Sequence, residues 1–128
     1  MAALALAGVA CERLPDVPNV PPAASFIFTP VSPIYAGQTA VVFNASASRD
    51  PDGTITSYVW NFGDGTPEVT SASPAVSHVF PDTPATCVEI TYAALLTAVD
   101  DKGDRASAAQ NVKVIELPAP ASEDCAGR

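Results

Sequence analysis

Tyr58-Val59-Trp60-Asn61-Phe62-Gly63-Asp64-Gly65 is the stretch that decides the fold. Tyr58, Trp60 and Phe62 alternate with Val59 and Asn61. Successive side chains of a strand point to opposite faces, so the three rings share one face, and that face belongs to a core. Gly63-Asp64-Gly65 then stops the strand, because glycine takes the positive φ of a tight turn without a steric penalty and aspartate bonds its own backbone there.

The same alternation recurs on both sides. Phe26 and Phe28 face inward from a first strand over Ser25 to Thr29, ended by Pro30 and Pro33. After Gly37-Gln38, a second strand turns Val41, Phe43 and Ala45 inward. Pro67 to Ala72 and Ala75 to Val79 read as short edge strands, with prolines that discourage pairing with other chains. Tyr92, Ala94, Leu96 and Ala98 form the inward set of the next strand, and Ala106, Ala108, Gln110, Val112 and Val114 that of the last; Asp101-Lys102-Gly103-Asp104 joins the two as a hairpin turn.

The strand and turn after it resemble the YxWDFGDG signature of the PKD domain, an immunoglobulin-like β-sandwich. Asn19-Val20-Pro21-Pro22-Ala23-Ala24-Ser25-Phe26 is similar to that family's N-x-P-P-x-A-x-F opening. Val41 to Ser48, with Asp50-Pro51-Asp52-Gly53 after them, resemble its second strand and following loop. Pro74 to Phe80 resembles P-x-x-x-H-x-Y with Phe80 for Tyr, and Tyr92 to Asp101 resembles Y-x-V-x-L-x-V-x-D-D. Asn61 departs from the usual Asp, and the connection from Phe80 to Tyr92 is longer than the family's short glycine turn. The resemblance implies an all-β, seven-stranded sandwich over residues 19–116 with extended N- and C-terminal tails. It also implies structural roles for Tyr58, Trp60, Phe62, Gly63, Asp64, Gly65 and His78.

Bulk properties agree. A chain of 128 residues and 13.1 kDa accommodates one such domain, of about 100 residues, plus tails. Thirteen prolines and 48% hydrophobic residues suit short strands on stiff loops rather than helices. Six Lys+Arg against 14 Asp+Glu, net −8, exclude nucleic acid, which demands clustered basic residues. The charge fits an exported or cation-binding domain, or simply a soluble surface.

Met1 to Ala10 is apolar but far shorter than the ~20 residues of a membrane-spanning helix. It reads as the remnant of a signal peptide whose charged start, and the true start codon, lie upstream. Gly8-Val9-Ala10-Cys11 resembles a bacterial lipobox and makes Cys11 the expected lipidation site, a membrane anchor through acyl chains; an ordinary cleavage site with Cys11 as a plain thiol is the alternative. Residues 11–18 are a Pro-rich tether and 117–128 a polar tail. Asn44-Ala45-Ser46 has the form of a glycosylation acceptor, but belongs to the strand motif.

A lipid on Cys11 leaves Cys87 and Cys125 to pair as a disulfide; two free thiols or an intermolecular bond through Cys125 are the alternatives. His78 is the single histidine, so neither a zinc site nor a catalytic triad is assembled, and no enzymatic activity is expected. Some members of the resembled family bind calcium. Carried over residue by residue, the ligands are Asn19, Asp50, Asp52 and Asp100, oxygen donors that suit a hard cation; the same loop residues also make a strong turn without any metal.

Val59, Ala93, Leu95, Val99, Ala109 and Ile115 fall at outward positions where a solvated sheet carries polar residues. They define a candidate partner-binding face. The functional expectation is therefore a non-catalytic module at the cell envelope, in the periplasm or on the cell surface. It makes protein or surface-polysaccharide contacts, or docks as an accessory subunit on a membrane or envelope complex.

Overall fold

The computed structural model describes residues 17–83 and 88–116. These fold into seven strands and no helix: β1 (Ile27–Thr29), β2 (Ala40–Asn44), β3 (Ile55–Asn61), β4 (Val69–Ser71), β5 (Ala75–Val79), β6 (Val88–Asp100) and β7 (Arg105–Glu116). They form two antiparallel sheets, of order β1-β2-β5 and β4-β3-β6-β7. β4 and β5 are edge strands, as their flanking prolines imply.

The two sheets close on aromatic rings. Trp60 and Phe62 from β3 and the turn after it meet Phe43 from β2, with ring centroids 5.7 and 4.9 Å apart. Phe26 meets Trp60 edge-on at 5.3 Å, and Phe80 stacks on Tyr92 at 5.2 Å. Trp60, Phe43 and Phe80 are fully buried. Offset and edge-on pairs of this kind add about 0.5–1.5 kcal/mol each beyond the area they bury.

Several expectations are refined. The first strand is shorter than Ser25–Thr29, although Phe26 is buried ahead of it. β6 begins at Val88, opposite Glu116, so the Phe80–Tyr92 connection contributes four residues to a 13-residue strand. Gln110 points inward as its parity implies, its Nε2 donating to the Phe26 carbonyl across the sandwich, but it stays exposed rather than joining the core. The parity that buries Val112 and Val114 continues to Glu116, which is fully buried. Its Oε1 accepts from the Thr83 N–H and hydroxyl, each at 2.8 Å, while its Oε2 has no partner among the described residues.

Segment 34–36 crosses from the β1 sheet to the other one. The Ala36 N–H donates to the Ile115 carbonyl at 3.0 Å, and the Ile115 N–H to that of Ile34 at 2.8 Å, a parallel bridge at the end of β7.

Candidate functional site

The end of β6 is where the acidic residues gather. Asp100, 2% exposed, closes the strand, and the turn after it wraps its carboxylate: Oδ1 accepts from the N–H groups of Lys102 (2.9 Å) and Asp104 (2.8 Å). Its Oδ2 accepts from Asn19 Nδ2 at 2.6 Å, and the same amide donates to Asp104 Oδ2 at 2.8 Å. Burial would push the Asp100 carboxyl up, but the Asn19 amide and the turn's backbone N–H groups outweigh it and hold it below the usual carboxylate range.

Asp50 behaves oppositely. Withdrawal from water, then a hydrogen bond to Asp52 and the negative charges of Asp52 and Asp100, push its carboxyl up. One oxygen from each of Asp50, Asp100 and Asp101 lies within 4.8 Å of the others. Ligands held about 2.4 Å from one calcium ion are at most about 4.8 Å apart, so this spacing fits. Asn19 Oδ1 and Asp50 Oδ2 are buried oxygens without a hydrogen-bond partner among the described residues, which a bound cation would satisfy. A Cβ on Gly53 would meet Asp101 Oδ1 at 2.5 Å and Asp50 Oδ2 at 3.0 Å, so glycine lets the loop lie against both carboxylates. The residues present suit a hard cation.

Of the four residues named from sequence, Asn19, Asp50 and Asp100 come together. Asp52 lies beside Asp50, close enough to act on its carboxyl, while its own Oδ2 accepts the Val20 N–H at 2.9 Å and ties down the opening segment. Asp101 joins Asp50 and Asp100, and Asp104 accepts from Asn19. The cluster of acids in Asp100-Asp101-Lys102-Gly103-Asp104 was the available signal; strand parity alone sends neighbours Asp100 and Asp101 to opposite sides.

At the other end of β3, Asp64 Oδ1 accepts from the Thr66 N–H (3.1 Å) and hydroxyl (2.6 Å), and Oδ2 meets His78 Nε2 at 2.6 Å. The His78 ring stacks on Phe62, centroids 3.8 Å apart. Gly63 has φ +76°, and a Cβ there would lie 2.5 Å from the Ala93 carbonyl oxygen.

The outer face of the four-stranded sheet is partly apolar. Leu95, 38% exposed, pairs with Ala109 on one side and Asn61 on the other, with Ala93 and Val59 nearby in register. Thr97 and Ser107, hydrogen-bonded at 3.0 Å, separate this centre from Val99, and Ile115 is pinned at the far end by segment 34–36. Cys11, Cys87 and Cys125 lie outside the described residues.

The model of the family described as "PKD domain" matches residues 19–115. The chain belongs to the PKD domain family. A solved structure of the PKD1 domain of Vibrio anguillarum Epp superposes with a TM-score of 0.59 at 27% identity, covering 79% of this chain and 100% of that one. The PKD1 domain from the Vibrio cholerae metalloprotease PrtV gives 0.56 at 29% identity, covering 74% and 98%. A structure from work on the promiscuous specificity of carbohydrate-binding modules of the β-sandwich superfamily gives 0.66 at 38% identity, covering 80% of this PKD chain but 37% of the other. In sequence, the pre-pro-metalloprotease PrtV of Vibrio cholerae serotype O1 is 37% identical over 73 residues, 57% of this chain and 7% of its own length. The PKD domain thus spans a small fraction of that relative.

Proposed function

We propose that this PKD domain is a non-catalytic binding module that docks a protein partner on the outer face of the β4-β3-β6-β7 sheet, exported and anchored through a lipid on Cys11, with calcium bracing its opening segment. The observation that carries the choice of partner is the placement of the rings. All nine aromatic residues lie among the described ones; seven are buried, Tyr35 and Tyr92 are half-buried, and none is exposed. Sugar rings are gripped by stacking on exposed aromatic faces, and this surface offers none. What it offers is a shallow patch of Leu95, Ala93, Ala109 and Val59, which suits another protein's side chains. His78, the only histidine, is engaged by Asp64 and Phe62, which supports a structural use.

The likeness to a structure from work on carbohydrate-binding modules keeps polysaccharide as the second reading. Cross-linking of the native protein in its own membranes, followed by mass spectrometry, tests both. A stoichiometric protein partner that is lost in Leu95→Glu while the domain still folds is the expected result. Binding to isolated surface polysaccharide, unaltered in Leu95→Glu, overturns it. Labelling with radioactive palmitate that disappears in Cys11→Ala is expected for the anchor, and absence of label in the wild type removes that part.

A further inference from the structure

β7 ends the four-stranded sheet, and most of its outer side meets none of the described residues. Ile115 directs its N–H and carbonyl away from β6, the N–H donating to the Ile34 carbonyl and the carbonyl accepting from the Ala36 N–H. Backbone groups alternate sides along a strand, so Lys113, Asn111, Ala109, Ser107 and Arg105 direct theirs the same way. No described residue pairs with these groups. The register of β6 against β7 runs unbroken from Val88 and Glu116 to Val99 and Arg105, and β7 contains no proline.

The edge has a defined chemistry. Only an extended backbone matches a row of alternating N–H and C=O groups. Where segment 34–36 leaves β7, a slot of about 220 Å³ opens between Phe28, Val31 and Ile34 on one side and Lys113 and Ile115 on the other, with the Glu89 carboxylate of β6 also in its wall, so the residue it takes is apolar and the acidic ones lie further along the edge. Val31 is 67% exposed at its lip. The slot lies in line with the bare edge and has room for one apolar side chain of a strand laid there.

Charge selects the occupant. Of the four Lys and Arg among the described residues, Lys102, Arg105 and Lys113 lie on β7 or the turn feeding it, in a chain of net charge −8. A second copy paired antiparallel about Ala109 would set Arg105 opposite Lys113 twice, and like charges directly opposite are unfavourable. Lys113 has Glu89 at 4.0 Å, a loose surface contact of little energy, and no ion pair engages Arg105 among the described residues, so an acidic strand finds its opposite charge chiefly at Arg105.

We propose that the free edge of β7, from Arg105 to Lys113, is a strand-addition site that takes an extended, acidic segment of a partner protein. It deepens the reading of the domain as a protein-binding module, through the backbone edge of β7 rather than the Leu95 sheet face that adjoins it at Ala109.

The test uses the full chain. A displayed library of random peptides of about ten residues, the length of a typical long strand, is selected against it, and the best peptide is synthesised as the probe. Amide hydrogen exchange of Ser107, Ala109, Asn111 and Lys113 is followed with and without that peptide. The expected peptides alternate apolar with polar or acidic residues, and they slow exchange at these four amides, which are fast in the free protein. Asn111→Pro removes an outward N–H without touching the β6 ladder, and weakens binding about tenfold or more. The Arg105→Glu, Lys113→Glu double variant leaves the backbone intact, and weakens the acidic peptides about tenfold. Leu95→Ser, which removes the apolar centre of the sheet face without adding charge beside Ala109, leaves peptide binding unchanged and so separates this site from the sheet face. Amides already slow in the free chain would mean that its own residues or a second copy cover the edge, and would overturn the proposal. So would protection centred on Leu95, recovery of no peptide, or equal binding by Asn111→Pro.

Discussion

Asp64 Oδ2 and His78 Nε2, 2.6 Å apart, join the turn after β3 to β5, strands of opposite sheets. The contact explains why an acid lies between the two glycines of the turn. Burial alone would raise the Asp64 carboxyl, but the Thr66 hydroxyl, His78 and the Thr66 N–H hold it below its ordinary value of 3.8. A carboxyl lowered by folding contributes stability that is present above the unfolded value and lost as pH falls through the folded one. Asp64→Ala is expected to destabilise the domain by about 2–3 kcal/mol near neutrality, and its penalty should shrink below pH ~4 as the wild type loses the same interaction. Urea unfolding at a series of pH values measures this, and a penalty independent of pH would contradict it.

Gly63 and Gly65 both have positive φ, +76° and +88°, yet only Gly63 is crowded, with the Ala93 carbonyl 2.5 Å from where a Cβ would be. Gly63→Ala combines left-handed backbone with a forced shift of β6, an expected loss of about 2–4 kcal/mol. Gly65→Ala meets nothing within 4 Å and bears only the backbone strain, about 1–2 kcal/mol. Equal midpoints in thermal unfolding would show that the contact with Ala93 is unimportant.

The contrast between these glycines also marks how far sequence carries. Period-two alternation was enough to place Tyr58, Trp60, Phe62, Val41, Phe43, Val112 and Val114 in the core, because burial on one face is a local rule with a global outcome. Asp64 and His78 were legible as motif residues, but not as partners, since 14 positions of chain give no distance. Asp101 and Glu116 were missed for related reasons. The first depends on how a four-residue turn folds back over its strand, and the second breaks the rule that an inward position is apolar.

Glu116 lies buried close enough to Tyr92 to affect it: burial first, and then the charges of Glu116 and Asp64, push the Tyr92 hydroxyl above its ordinary 10.0. A raised phenol leaves stability intact below that value and removes it as pH climbs through the folded pKa, because the unfolded chain releases its proton first. Glu116→Gln keeps an oxygen for Thr83, so its effect on stability should stay within about 1 kcal/mol, whereas Glu116→Ala orphans the Thr83 N–H and hydroxyl and should lose about 2–3 kcal/mol. In Glu116→Gln the Tyr92 phenolate should form at lower pH than in the wild type. An ultraviolet difference titration follows it, and an unmoved curve would show that Glu116 exerts no field on Tyr92.

The acidic corner makes the sharpest prediction, because its two central carboxyls are displaced in opposite directions. Asp100 is lowered, so its share of stability is lost in acid. Asp50 is raised, so without a cation the folded state is penalised as pH rises through its folded pKa, and neutralising it should help. Asp50→Asn is therefore expected to raise Tm in chelator at neutral pH and, in the same protein, to abolish the gain from calcium. In the wild type, free calcium at about a hundred times Kd adds about 2.7 kcal/mol, roughly 10 °C or more in Tm. Asp101→Asn should remove most of that gain, and Asp52→Asn, whose carboxylate holds the Val20 N–H instead, should leave most of it. Identical Tm values for the wild type in calcium and in chelator would reduce the corner to a hydrogen-bonded clasp of Asn19 on Asp100 and Asp104.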